Sequence, residues 1–263
     1  MLRAALIAAV LFFLRKMPTN GSFSLLMHTI TPIGFSTGAL ELGDFRKALH
    51  WISGKPSRAI ELSAIRFGEL EDLVQAFPVL DLRQFSHVSF HAPSNFTEDE
   101  EVGLAAICAA HKLPTVLHPD VIINPSLWLT LGSSLLVENM DHRKRIGQTT
   151  DEIKALLELF PEAGLCLDMA HARKLDPSLG LLHDFLTLFS DRIREIHISE
   201  IDDNGHHFPM SDACVEDFKT VSYLIPRGIP VIIESMLRSC PPSMRDDEYD
   251  HVRSILEFSG HSC

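Results

Sequence analysis

From about residue 30 onward, short runs rich in Val, Ile, Leu and Phe alternate with longer stretches whose apolar residues recur at helical spacing. The short runs predict strands at Ile33–Thr37, Ala59–Ser63, His87–His91, Thr115–His118, Leu135–Glu138, Leu165–Asp168, Ile193–Ile198 and Val231–Glu234. Helices are predicted between them at Asp44–Ile52, Phe67–Ala76, Ser178–Phe189, Cys214–Leu224 and Asp246–Phe258. Thr97-Glu98-Asp99-Glu100 has the spacing of a capping box and predicts a helix running to His111; Thr150–Phe160 opens in the same manner on Thr150, Asp151 and Glu152. Val121–Leu131 is the least regular connection. Pro114, Pro161 and Pro230 each stand shortly before a strand, where proline ends the preceding helix.

Strands that alternate with helices build a parallel sheet, and a strand–helix series of this length fits an α/β fold closed as one (β/α)8 TIM barrel. A doubly wound open sheet normally has fewer strands and a glycine-rich first turn. Here that turn, Gly34-Phe35-Ser36-Thr37-Gly38, lacks the G-x-G-x-x-G spacing of a dinucleotide site. The barrel is expected over residues 28–263, with 1–27 as a short apolar extension outside it. That extension carries an apolar run, Ala4 to Leu14, between Arg3 and Arg15-Lys16. The run is shorter than the roughly 20 residues a membrane-spanning helix needs. Its length matches a signal-peptide core, but the basic pair after it and the lack of a small-residue cleavage site speak against export. Met17 and Met27 offer later starts, so an upstream extension is the preferred reading; a helix docked on the barrel or on a membrane surface is the other.

The chain has 263 residues, 46% hydrophobic and 22% charged, enough for one full core. A net charge of -12 repels polyanions on average and argues against nucleic acid as a partner, although a local basic patch or bound metal outweighs the global sign. The five cysteines include no C-x-x-C pair, are odd in number and are widely spaced, which suits reduced thiols in a cytoplasmic protein.

The polar residues follow a rule. The third strand ends in His91, the fourth in His118, the fifth in Glu138, the sixth in Asp168 with His171 three residues on; the seventh carries His197 and the eighth ends in Glu234. In a closed barrel all these ends meet on one rim, where active sites are built. Carboxylates and imidazoles without a thiolate form a mixed O/N set suited to Mn, Mg, Fe, Co or Zn. Left unpaired, so many polar groups would cost several kcal/mol, and a divalent cation is the natural compensation. Individually, Glu61 reads as a salt-bridge partner, His87, His111 and His183 as solvated or satisfied side chains, and Trp51 and Trp128 as helix packing.

The segments VSFHAP (88–93), LHPD (117–120), LLVENM (135–140), LCLDMAH (165–171), IHISEID (196–202), HHFPM (206–210) and VIIES (231–235) together resemble the xylose isomerase-like barrel superfamily, which includes sugar phosphate isomerases and epimerases and endonuclease IV. The resemblance spans about residues 30–258. It implies metal ligation by Glu138, Asp168, His197 and Glu234, further ligation by His91 and His118, and substrate contacts from His171 and His207. The pattern departs at the D-x-H pair of the endonuclease: two residues before His207 stands Gly205, and two before His206 stands Asn204.

Three functions compete. The preferred one is a divalent-metal-dependent isomerase or epimerase of a sugar, sugar phosphate or hydroxy acid. In it Glu138 and Glu234 move the proton of an enediolate, and Arg143 or Arg173 could meet an acidic end of the substrate. The alternatives are a zinc phosphodiesterase acting on abasic DNA and a non-catalytic metal-binding barrel. No stable membrane span is expected, and a homodimer is left open.

Overall fold

The computed structural model describes residues 30–261; the extension expected at 1–27 lies outside them. Ten strands are described. Eight of them, β1 (Ile33–Ser36), β2 (Ala59–Ser63), β3 (His87–His91), β4 (Thr115–Leu117), β5 (Leu135–Glu138), β6 (Gly164–Asp168), β7 (Ile193–Ile198) and β10 (Val231–Ile233), close into a barrel in the order β1-β10-β7-β6-β5-β4-β3-β2. Every pairing around the ring is parallel. The two others, β8 (Glu200–Ile201) and β9 (His207–Phe208), form a small antiparallel ribbon above β7 that sequence patterning does not anticipate.

All eight anticipated strands are present, with ends displaced by at most one residue, so Thr37, His118 and Glu234 fall just past their strands. The helices differ more. The helix Thr150–Leu159 is capped not by Thr150 but by Thr149, whose hydroxyl accepts from Glu152 N while Glu152 Oε2 accepts from Thr149 N at 3.2 Å. The segment expected as one helix over Ser178–Phe189 is Gly180–Leu188, preceded by an unanticipated helix, Met169–Leu175, that leaves β6 directly. Asp168 causes this: its Oδ1 accepts from His171 N at 2.8 Å and caps that helix. Another short helix, Thr37–Glu41, follows β1. The segment read as Cys214–Leu224 is a helix over Asp212–Val221 with a 3-10 turn after it, and the last helix starts earlier than expected, at Pro242.

Alternation along each strand sorts the interior into two layers. Ile193, Ile196, Ile198, Leu165 and Leu167 join the main apolar core between barrel and helices. Facing the other way, Val116, Leu136 and Cys166 form a small apolar cluster inside the ring. The same inner face also carries fully buried polar residues, Glu61, Ser89, Glu195 and His197. Among the described residues, no helix is long and apolar enough to cross a membrane.

Candidate metal centre

Four strands bring one ligand atom each to a common point. Ligand atoms of Glu138 (β5), Asp168 (β6), His197 (β7) and Glu234 (just past β10) all lie within 4.8 Å of one another. The register explains the convergence, since Asp168 pairs with His197 across β6 and β7, and Glu138 ends β5 beside Cys166 of β6. His197 Nδ1 stands 3.5 Å from Glu138 Oε1 and 3.3 Å from Glu234 Oε2.

Further groups flank this one. His91, His118 and Glu138 form a set of their own, with His118 Nε2 3.0 Å and His91 Nε2 3.4 Å from Glu138 Oε2. Asp168, His171 and His207 form another, and their two imidazoles meet edge to face at 5.4 Å. Three of these four rings are held from behind, His118 Nδ1 being buried without a hydrogen-bond partner. His91 Nδ1 faces the Ala92 carbonyl, His171 Nδ1 the Asn139 carbonyl at 2.9 Å, and His207 Nδ1 the Ser199 hydroxyl at 2.7 Å. Asn139 also clamps the ends of β5 and β6, donating to Asp168 O at 2.9 Å and accepting from Asp168 N at 2.7 Å.

The charge state favours a cation at this point. Burial works against ionising Glu138, yet His118, His197 and His91 hold its carboxyl well below the usual carboxylate range. Burial also opposes Glu234, and His197 again wins and lowers it. Burial would drive His91 down, but Glu61, Glu138 and Glu234 push it up to about 10. Asp168 goes the other way: burial, reinforced by Glu234 and Glu138 against the pull of His207, raises it to about 7. Without a metal, protons on imidazoles are thus the only positive charge among these carboxylates. Even so, Glu138 Oε2, Asp168 Oδ2 and His197 Nδ1 are buried with no hydrogen bond of proper geometry, close as their ion-pair neighbours stand. Buried polar atoms are normally satisfied, and three such under-satisfied ligand atoms in a carboxylate–imidazole set fit a divalent ion.

Two glutamates below the rim complete the arrangement. His197 Nε2 lies 3.1 Å from Glu61 Oε2 and 3.2 Å from Glu195 Oε1. Glu195 in turn bonds Ser89 Oγ at 3.1 Å and His87 through its other oxygen; burial opposes its charge, but His197 and His87 hold it down to about 2. His87, read from sequence as a satisfied side chain, is satisfied here. Glu61 is an ion-pair partner as expected, but its partner is His197, within the site. Glu195 escapes a search of strand ends because it lies mid-strand; its signal was the two-residue spacing to His197, which puts both on one face of β7. Trp128 is fully buried, and Trp51 packs edge to face on Phe35.

No family model matches the chain, and no curated protein matches it. Solved structures do. A candidate sugar phosphate isomerase/epimerase from Anabaena variabilis superimposes with a TM-score of 0.59 at 12% identity, over 88% of this chain and 99% of that one. The 3-keto-D-glucoside 4-epimerase of E. coli gives 0.50 at 12% identity, over 86% and 98%. A type I 3-dehydroquinate dehydratase from Clostridium difficile gives 0.53 at 10% identity, over 87% and 92%. The fold is thus a TIM barrel. The dehydratase among its likenesses illustrates why barrel shape alone selects no reaction. The residues at the mouth carry that argument: clusters positioned to hold a divalent metal, as in a metal-dependent enzyme.

Proposed function

We propose that the chain is a divalent-metal-dependent isomerase or epimerase acting on a sugar, sugar phosphate or related hydroxy acid. The convergence of Glu138, Asp168, His197 and Glu234 on one point, with three under-satisfied ligand atoms, carries this reading. A bound metal would polarise a carbonyl or hydroxyl oxygen and acidify the neighbouring C–H. Asp168 and His197 would hold the ion from the β6–β7 side. Glu138 and Glu234 approach His197 from different strands, so one carboxylate takes the proton from carbon and the other returns it. His171 and His207 line the adjoining rim, where their imidazoles bind substrate hydroxyls.

The test is solvent-deuterium incorporation beside the carbonyl of a ketose panel, with metal-loaded protein. Incorporation is expected in the unaltered chain. Glu138→Gln and Glu234→Gln are each expected to lower it by about a hundred-fold or more, the scale of general acid–base catalysis. Full turnover by a Glu138→Gln protein that has lost its metal would sink the reading.

One observation favours a second reading. The His91–His118–Glu138 set shares Glu138 with the first, so the mouth offers adjoining places for two ions, as in metal-dependent phosphoester cleavage. Zinc-dependent incision of an abasic-site duplex, with no deuterium incorporation into any sugar, would select it.

A further inference from the structure

Gly205, where the sequence departs from the D-x-H pattern, has its side-chain space taken by another residue. Its φ is +74°, and a Cβ built there would stand 1.9 Å from Arg143 Cζ and 2.0 Å from Arg143 Nε. Arg143 belongs to the loop after β5, Gly205 to the turn between β8 and β9, and only a glycine lets the guanidinium lie across that turn.

The guanidinium is fixed on one side. Its Nε donates to Asp141 Oδ1 at 3.0 Å and Oδ2 at 2.8 Å, and Nη1 donates to the Asn204 carbonyl at 3.3 Å. Asp141 is fully buried three residues after Glu138. Asn139, whose carbonyl faces His171 Nδ1, stands two residues before Asp141, and Gly205 stands two residues before His207, so the pair adjoins the Asp168–His171–His207 group. Among nearby cations, Arg173 is committed to Asp217 and Glu200, Lys144 to Asp120 and Lys174 to Asp203, while the exposed Arg145 is held by no ion pair or hydrogen bond among the described residues. Arg143 differs. Its side chain is 36% exposed, and its Nη2 has no partner among the described residues. A planar guanidinium held along one edge and open along the other is prearranged for anionic oxygens.

We infer that Arg143 receives an anionic group of the substrate, a phosphate or a carboxylate, on the β6–β7 side of the mouth, and that Gly205 is the residue that admits it. The inference rests on the proposed reading of the mouth as a metal-dependent site for a polyhydroxylated substrate, and it narrows that substrate to an anionic one.

Calorimetric titration of the manganese-loaded protein tests it with three probes of one carbon skeleton: erythritol, erythritol 4-phosphate and erythronate. At least one anionic probe should bind about ten-fold or more tightly than erythritol, the scale of a charge-assisted hydrogen bond. Whether phosphate or carboxylate shows the gain identifies the group. Arg143→Gln should abolish the gain at unchanged manganese content, and Arg143→Lys should keep part of it. Gly205→Ala, which displaces the guanidinium without removing it, should reduce the gain as well. No preference in the unaltered protein overturns the inference. So does a preference that survives Arg143→Gln, because the anion then sits on the metal. Deuterium exchange judges the isomerase reading separately, so failure of one is not mistaken for failure of the other.

Discussion

His197 has both ring nitrogens committed to different tasks. Nδ1 faces Glu138 and Glu234 at the mouth, and Nε2 faces Glu61 and Glu195 below. A carboxylate behind a ligating imidazole fixes its tautomer and raises its basicity. Glu195→Gln keeps the shape but weakens that support, so competition against a chelator should show metal affinity lower by about 10–100-fold; unchanged affinity would assign Glu195 to packing alone. Protonation argues at the same scale. Asp168 keeps its proton up to about 7 in the folded metal-free chain, against an ordinary value of 3.8, and His91 keeps its own up to about 10, against 6.5. Both raised groups hold protons that the unfolded chain releases. Their stabilising contribution is therefore present at low pH and lost as pH rises through the folded values. The depressed carboxyls of Glu138, Glu195 and Glu234 act at lower pH than this. Between about pH 6.5 and 9 the metal-free protein should lose stability and metal affinity should climb, since the ligands must shed protons to bind. Urea midpoints measured in chelator across that range check it; a flat or rising series contradicts it.

Among the elements, the irregular connection from β4 to β5 owes its order to a single carboxylate. Glu101 on the helix Glu98–His111 is fully buried and accepts from Ile123 N at 2.9 Å, Asn124 N at 3.0 Å and Trp128 Nε1 at 2.8 Å. Glu101→Ala would strand three donors and should cost about 3 kcal/mol or more of unfolding free energy. Its metal affinity should stay unchanged, because the connection lies outside the ligand sets; a loss below 1 kcal/mol on the same denaturation curve would show that water replaces the carboxylate. This connection also marks where sequence legibility ends. Strands were readable because each apolar run is short and bounded, and the strand-end rule placed His91, Glu138, Asp168 and His197 on one rim. Val121–Leu131 has no single period because it breaks into short turns, Pro119–Val121, Pro125–Trp128 and Leu129–Ser134, with a distant glutamate satisfying the Ile123 and Asn124 amides between them. The helix Met169–Leu175 was hidden because its cap, Asp168, also reads as a strand end. The sequence left Arg143 and Arg173 as equal candidates for an acidic end of the substrate, since the meeting of Arg143 with Gly205 joins loops 62 residues apart in sequence.

Across the whole molecule, the barrel is a device for bringing chain-distant residues together. Glu138 and Glu234 are nearly a hundred residues apart, yet both reach His197 within 3.5 Å. A cation there would link β5, β6, β7 and the end of β10, binding one half of the ring through its own ligands. The lumen beneath carries Glu61, Ser89 and Glu195 beside the apolar Val116, Leu136 and Cys166, where such barrels are usually filled by branched apolar layers, so the polar site extends into the barrel. Anomalous diffraction from crystals grown with zinc tests the central claim most directly. The account predicts a peak about 2.0–2.2 Å from carboxylate oxygens of Glu138, Asp168 and Glu234 and from His197 Nδ1, absent in Asp168→Ala crystals. A saturated crystal with no peak among those four residues would contradict it.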